Sequence, residues 1–249
     1  MKWIVFFILV LYVGAAAYLY LTQDKKVFKN YLAKEYIPRH AKILNFITSD
    51  GLKLQGAYLE NKKNAPLILY FSGNANNVIE FIDKTGPEIK NYNFIGFNYP
   101  GYAGSDGKPC EKCILKYAVE IYERYKPDIV MGRSLGSAVA AFVANQRNVK
   151  KVVLITPFDS VENLAKSKYP FFPISILLKY KFKEYEWIKQ VQAPVSVLYV
   201  KNDEIVSRES LENLLKNIKN LHKLIEINAS HADIYEDKKL PHKIEEALK

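Results

Sequence analysis

The sequence predicts an α/β fold with a mainly parallel central sheet, helices on both faces, a small lid insert and an N-terminal transmembrane helix. Short apolar runs alternate with helical patterns, the order that crossover helices between parallel strands require. These runs lack polar alternation, as expected for strands covered on both faces. An uncharged segment near the N-terminus is long enough to span a membrane. With 249 residues, 49% of them hydrophobic, the chain can bury such a core in one domain.

The uncharged segment runs from Trp3 to Leu21 and has 19 residues. Trp3, Tyr18 and Tyr20 lie near its ends, where aromatic residues meet the membrane interface. The small residues at 13–17 would also suit a signal peptidase, but the apolar run continues past them. We therefore expect an uncleaved, single-pass anchor over residues 1–22. Its orientation stays open, because the basic residues that follow favour a cytoplasmic domain, whereas a short N-terminal tail favours export.

A basic connector follows at residues 23–42, and the domain covers residues 43–249. The domain begins with a hairpin, residues 43–48 and 52–58, around the turn Ser49-Asp50-Gly51. The remaining strands are expected at 67–71, 94–99, 129–131, 152–155, 195–200 and 223–228. The helices between and after them are expected at 78–83, 114–125, 136–146, 208–218 and 241–248.

The chain is basic, with 36 Lys and Arg against 26 Asp and Glu. The lysines are scattered over predicted helix surfaces, which fits either a solvated surface or attraction to an anionic membrane. No nucleic-acid-binding motif accompanies the charge, so we expect no nucleic-acid partner.

Cys110 and Cys113 lack the two further ligands of a zinc site and the context of a redox motif. The sequence leaves open whether they form a disulfide, and it predicts neither metal nor cofactor.

The segment Gly132-Arg133-Ser134-Leu135-Gly136 joins a predicted strand to a helix of small residues. A G-x-S-x-G in this setting predicts a nucleophile elbow, a turn so tight that side chains at either glycine would collide. The serine hydroxyl is then held at the carboxyl edge of the sheet, beside the N–H groups that begin the helix. Ser134 is therefore the predicted nucleophile.

A serine hydroxyl needs a base, and His231 alone of four histidines directly follows the last strand at the same edge. Asp203, just after the strand at 195–200, is the predicted carboxylate partner. Glu204 and Asp159 are rival candidates, the first expected to point away and the second following the preceding strand.

An oxyanion site needs two backbone N–H groups. We expect one from Leu135, directly after the nucleophile. The other is expected from Asn74, in the loop Ser72-Gly73-Asn74-Ala75-Asn76-Asn77 after the first parallel strand. The same loop could simply be a strand-to-helix turn with an asparagine N-cap, and both interpretations can hold together.

One connection, residues 158–190, is too long for a simple crossover and contains Phe171 and Phe172. We interpret it as a small lid whose phenylalanines contact substrate. The alternative is an ordinary helix packed on the sheet after an irregular entry.

Five segments of the chain match the motifs of a known family and follow one another in the same order. They are Ser72-Gly73-Asn74-Ala75, Asn98-Tyr99-Pro100-Gly101-Tyr102, Gly132-Arg133-Ser134-Leu135-Gly136, Asn202-Asp203 and Ser230-His231-Ala232-Asp233. From about residue 43 onward the chain resembles the membrane-anchored α/β-hydrolases with an H-G-N-A motif, the branch that includes palmitoyl-protein thioesterase-like enzymes. Ser72 stands where that family usually has histidine, and Ala232 where asparagine commonly follows the catalytic histidine. The resemblance implies hydrolysis of esters or thioesters, often of acyl chains near membranes.

The leading hypothesis is a serine hydrolase that cleaves carboxylic ester or thioester bonds of a small-molecule or lipidated acyl substrate near a membrane. One alternative is a membrane-tethered binding or assembly protein without catalysis, and another is a serine peptidase. The sequence identifies neither the substrate nor the oligomeric state, because one fold serves many functions.

Overall fold

The structure is a computed structural model that describes residues 1–249. Eight strands form one sheet in the order β1-β2-β4-β3-β5-β6-β7-β8. Strands β3 to β8 are parallel, and the first hairpin pairs antiparallel at one side. The strands are β1 (Lys42–Ile47), β2 (Lys53–Leu59), β3 (Leu67–Phe71), β4 (Asn93–Phe97), β5 (Ile129–Arg133), β6 (Lys151–Ile155), β7 (Val195–Val200) and β8 (Leu221–Ile227).

Nine α-helices accompany the sheet, and the predicted α/β architecture is confirmed. They are α1 (Lys2–Val27), α2 (Val78–Lys84), α3 (Glu111–Tyr125), α4 (Leu135–Gln146), α5 (Val161–Lys168), α6 (Ile174–Leu177), α7 (Glu184–Ile188), α8 (Arg208–Asn217) and α9 (Leu240–Leu248).

The core consists of two layers, one on each face of the sheet. Successive strand residues point to opposite faces, so Leu69 joins the layer under α3, α4 and α8, while its neighbour Ile68 joins the layer under α2 and α9. Both side chains are fully buried. Burial on both faces explains why the strands read as uninterrupted apolar runs.

The chain order places a topological switch point beside β3, whose neighbours are β4 on one side and β5 on the other. The connections after β3 and β5 therefore start next to each other at the carboxyl edge, where open α/β sheets bind ligands. The connections after β7 and β8 leave the same edge, because all these strands are parallel.

One strand is shorter than expected: β4 ends at Phe97, not at residue 99. The side chain of Asn98 is used to close the loops on either side instead. Its Oδ1 accepts from the Val78 N–H at 2.9 Å, and its Nδ2 donates to the Ala103 carbonyl at 2.9 Å. Because the Asn98 side chain bonds to backbone groups on both sides, β4 and its backbone hydrogen bonds end before this residue.

Helix α1 is apolar and long enough to cross a membrane, with a mean hydropathy of 2.4 over its most apolar window. It continues to Val27, so the start of the predicted connector is helical. Phe28 then packs into the domain, with ring centroids 4.7 Å from Tyr180 and 6.2 Å from Phe182.

Cys110 and Cys113 form a disulfide at the start of α3. The structure thus selects one of the two states that the sequence left open. The Sγ of Cys110 also accepts from the Cys113 N–H at 3.0 Å and so caps the helix.

The long connection at 158–190 forms three short helices, α5 to α7, rather than one crossover helix. Helix α7 packs on α4, where the rings of Trp187 and Phe142 lie 5.1 Å apart. The stretch between α5 and α7 lies instead against α1.

Candidate active site

Ser134 occupies a strained turn between β5 and α4, with φ 50° and ψ −120°. A non-glycine residue adopts a backbone conformation with positive φ only where the surrounding packing and hydrogen bonds hold it there. A Cβ on Gly132 would collide with the Gly136 carbonyl, and one on Gly136 with the Phe71 carbonyl. The Ser134 N–H donates to the Ile155 carbonyl at 2.9 Å, which fixes the turn to β6. Both glycines of the motif are therefore sterically required.

The structure brings Ser134, His231 and Asp203 together, although Ser134 and His231 are 97 positions apart. His231 Nε2 lies 3.0 Å from Ser134 Oγ, and His231 Nδ1 lies 2.7 Å from Asp203 Oδ2. Ser134 is 8% exposed and His231 is 6% exposed. An ionised carboxylate only accepts hydrogen bonds, so Nδ1 donates to Asp203, and in the uncharged ring Nε2 is then free to accept from the Ser134 hydroxyl.

Backbone groups orient the Asp203 carboxylate. Its Oδ1 accepts from the N–H groups of Ile205 at 2.8 Å and Val206 at 2.7 Å, which leaves Oδ2 for His231. Burial by itself would raise the pKa of Asp203. The hydrogen bond and charge of His231, together with the two N–H groups, outweigh that effect and lower this pKa below its usual range. Asp203 therefore stays ionised at neutral pH.

The two rival carboxylates have other contacts. Glu204 accepts from the backbone N–H groups of His231 at 2.9 Å and Ala232 at 3.1 Å, so it holds the histidine loop rather than the ring. Asp159 accepts from the Ser210 hydroxyl at 2.8 Å and ties α5 to α8. Of the three carboxylates, only Asp203 contacts the imidazole.

The two expected oxyanion donors lie on the loops after β3 and β5. Leu135 is the first residue of α4, and neither its N–H nor that of Asn74 donates to another protein group. The Asn74 carbonyl accepts from the Tyr102 hydroxyl and from the Lys29 N–H, both at 3.0 Å, which fixes the peptide. Asn77 caps α2 through the Ile79 N–H at 2.9 Å, so the loop is also a capped turn.

Arg133, whose importance the sequence analysis missed, joins the loops around the site. Its Nη1 donates to Asn76 Oδ1 at 2.8 Å, and its Nη2 donates to the His231 carbonyl. The guanidinium also lies 5.0 Å from the centre of the Tyr235 ring. Arg133 is only 4% exposed. The sequence did contain a signal, because Arg133 is the one charged residue between an apolar strand and an apolar helix. A buried arginine is rare unless its guanidinium is paired, so its position indicates a partner inside the protein.

Glu184, also missed, is fully buried beneath the elbow. The Ser137 hydroxyl lies 2.6 Å from the Ser134 carbonyl and 2.8 Å from Glu184 Oε2. A hydroxyl has one hydrogen, so when Ser137 donates to Ser134 the second bond requires a proton on Glu184. Burial raises the pKa of Glu184 well above its ordinary value, in agreement with a neutral acid.

The two candidate lid residues contact α1. The ring of Phe172 stacks on that of Tyr12, with centroids 5.1 Å apart, and the Phe171 side chain is exposed.

No protein-family model matches the chain. The chain is similar to an uncharacterised protein of Mycobacterium tuberculosis, to the alpha/beta hydrolase domain-containing protein WAV2 of Arabidopsis thaliana and to the lysophosphatidylserine lipase ABHD12 of Rattus norvegicus. They are 30%, 27% and 24% identical over 68%, 64% and 57% of this chain, respectively. The matches cover 64%, 60% and 43% of the relatives, so the chain spans less than two thirds of their length.

Solved structures with low sequence identity share the fold. An esterase of Pyrococcus furiosus superposes with a TM-score of 0.65 at 16% identity, covering 87% of this chain and 98% of the esterase. The thioesterase domain from the curacin biosynthetic pathway gives 0.65 at 11% identity, over 85% of this chain and all of that domain. The chain therefore has the α/β-hydrolase fold, and its relatives support its place in the α/β-hydrolase family.

Proposed function

We propose that the protein is a serine hydrolase that cleaves carboxylic ester or thioester bonds of acyl substrates at a membrane. The observation that carries this proposal is the hydrogen-bonded series Ser134–His231–Asp203, with the serine on a strained turn at a helix N-terminus. A hydroxyl, an imidazole and an ionised carboxylate in this sequence of contacts are the parts of nucleophilic acyl transfer.

In the proposed mechanism, Ser134 Oγ attacks the acyl carbonyl while His231 Nε2 takes the hydroxyl proton. Asp203 holds the ring and stabilises the imidazolium that forms. The N–H groups of Leu135 and Asn74 donate to the developing oxyanion. Nε2 then returns the proton to the departing alcohol or thiol. A water, activated by the same histidine, releases the acid and regenerates Ser134.

Helix α1 is proposed to be the membrane anchor. Its uncharged stretch is 19 residues long and its outer side chains are exposed. Anchoring would concentrate the enzyme where acyl chains partition. The name of one relative, a lysophosphatidylserine lipase, supports an acyl ester as the substrate class.

The test is hydrolysis of a short p-nitrophenyl ester and of an acyl thioester by the purified full-length protein. Ser134→Ala and His231→Ala should each lower kcat by at least ~10³-fold, because the two residues act as one unit. His222→Ala, which changes an exposed histidine on β8, should keep full activity. Wild-type turnover that survives Ser134→Ala would refute the catalytic assignment, and folded wild-type protein without turnover would favour a binding protein.

A further inference from the structure

A short segment of the connection between α5 and α7, residues 169–178, lies along the apolar helix α1; we call it the cap segment. The Tyr12 and Phe172 rings are stacked nearly parallel, with an angle of 5° between their planes. The Tyr12 hydroxyl also donates to the Phe171 carbonyl at 2.8 Å. The tip of the cap segment is thus joined to the anchor by a ring contact and a hydrogen bond.

The other end of the cap segment is held by Gln23, near the C-terminal end of α1. The Gln23 amide donates to the Leu177 carbonyl at 3.1 Å and accepts from the Lys179 N–H at 2.7 Å. Gln23 is the one buried side chain of α1. The covered or contacting residues Tyr12, Ala16, Leu19 and Gln23 are spaced by four, three and four positions. That spacing defines one helix face, so the cap segment follows a single stripe of α1.

The position of Tyr12 along α1 determines how deep the cap segment would lie in a membrane. Tyr12 is at the centre of the uncharged stretch from Trp3 to Leu21. At ~1.5 Å of rise per residue, Tyr12 lies roughly 15 Å along the helix from the charged end, about half of a hydrocarbon core. When α1 spans a bilayer, the stacked Phe172 must therefore lie inside the lipid.

The cap segment is suited to lipid by its side chains. Phe171 is 85% exposed and Ile176 is 83% exposed, so two large apolar groups point away from the protein. Transfer of such a side chain from water to an apolar medium is favourable.

The backbone of the cap segment is also largely independent of water. Residues 170 and 173 are prolines and have no N–H group. Six of the other eight N–H groups, those of residues 169, 172, 174, 176, 177 and 178, donate to carbonyls within or just before the segment, and those of residues 171 and 175 do not. Non-helical backbone at membrane depth is tolerated where protein covers it, and α1 covers one side of this segment.

Basic side chains mark the level at which the lipid would end. Lys179 Nζ lies 4.5 Å from the centre of the Tyr20 ring and 4.0 Å from Asp24 Oδ1. With Lys112, Lys181 and Lys183 it lines a surface cavity of about 440 Å³. The Glu111 carboxylate in this cavity accepts from the Lys181 and Phe182 N–H groups. Lysines at the charged end of a membrane helix face the anionic headgroups of lipids.

We propose that the cap segment inserts into the domain-side leaflet of the bilayer beside α1, down to the level of Tyr12, with Phe171 and Ile176 in contact with acyl chains. The protein then meets the membrane through a helix and a re-entrant segment rather than through a helix alone. This inference rests on the anchor of the proposed function and is independent of catalysis.

The experiment measures the depth of a fluorophore in vesicles of phosphatidylcholine and phosphatidylglycerol. Both cysteines form the disulfide, so an added cysteine is the single reactive thiol. The full-length Ser134→Ala protein, which separates the measurement from turnover, receives Phe171→Cys or Ile176→Cys and an environment-sensitive label. The matched control, Leu221→Cys, carries the label at the amino end of β8, on the opposite edge of the sheet from Ser134.

The labels at 171 and 176 should be quenched by nitroxides placed deep in the acyl chains and protected from aqueous iodide. The label at 221 should show the reverse. Iodide quenching at 171 and 176 equal to that at 221 would overturn the inference, and quenching only by headgroup nitroxides would overturn the stated depth. A label at Leu11→Cys separates the two proposals. If iodide fails to reach the label at 11 but quenches the label at 171, only the insertion of the cap segment is refuted. If iodide quenches the label at 11, the membrane anchor is refuted as well.

Discussion

The elbow around Ser134 and the cap segment lie in one chain but are determined by different surroundings. At the elbow, protein atoms surround the backbone. Gly132 and Gly136 pack against carbonyl oxygens, Arg133 bridges two loops, and the buried Glu184 contacts the Ser137 hydroxyl. The cap segment has its contacts on one side, with α1, and turns Phe171 outward. The elbow is therefore specified by packing on all sides, whereas the cap segment is held by contacts with α1 on one side only.

Among substitutions at the elbow, we expect the greatest loss of stability from Gly136→Ala. The new methyl group would collide with the Phe71 backbone carbonyl, which cannot move without distorting β3. We expect a loss of roughly 3 kcal/mol or more in the free energy of unfolding. Gly14→Ala in α1 is the matched control, because no atom lies within 4 Å of its added Cβ. Urea unfolding of both variants measures the difference, and equal stabilities would contradict the steric account of the elbow.

An intermediate effect is expected from Arg133→Met, which keeps an unbranched stem but removes the guanidinium and both hydrogen bonds to the flanking loops. Misplacing His231 and the Asn74 loop by about 1 Å can lower kcat by ~10²-fold. Because Arg133 acts through these loops, we expect kcat to fall more than KM rises. Arg208→Met, at an exposed helical ion pair, is the control. An unchanged kcat for Arg133→Met would remove Arg133 from the positioning of the site.

The smallest effect, over a single pH unit, is a pH dependence that comes from Glu184. Its raised folded-state pKa means that the folded protein keeps a proton which the unfolded chain releases above its ordinary pKa of about 4.3. The stabilisation from this proton is complete below that value and is lost as pH rises toward the folded-state pKa. In that window the free energy of unfolding should fall by roughly 1 kcal/mol per pH unit because of this group.

Glu184→Gln should remove this slope, because an amide donates to Ser137 Oγ at every pH. Chemical unfolding measured at several pH values between about 5 and 8 checks the expectation. Glu186→Gln, an exposed change in the same helix, should leave the slope unchanged. A slope that persists in Glu184→Gln would mean that Glu184 is ionised in the folded protein.

The elbow and the order Ser134, Asp203, His231 could be predicted because parallel strands bring the ends of distant segments to one edge. Each of these residues directly follows an apolar run, so local pattern and topology together gave its place. Their meeting is a feature of the structure, and their catalytic roles stay predictions.

Other features depend on contacts that the local sequence does not encode. The contact of Phe172 with Tyr12 joins positions 160 residues apart through an irregular segment, so no periodicity indicates it. In the sequence Glu184 resembles a surface acid of a short helix, and only the packing of α7 on α4 buries it. Arg133 occupies a position that the motif leaves unspecified. The disulfide required the helix start at Glu111, which brings the two sulfurs together.

The most direct test of the account is peptide mapping by mass spectrometry after reaction with a fluorophosphonate. This reagent phosphonylates a serine only where a base activates the hydroxyl and nearby donors hold the phosphonyl oxygen. We expect one adduct, on Ser134, and its loss in folded His231→Ala protein. An adduct on another serine, or none on folded wild-type protein, would contradict the claim that Ser134 is an activated nucleophile.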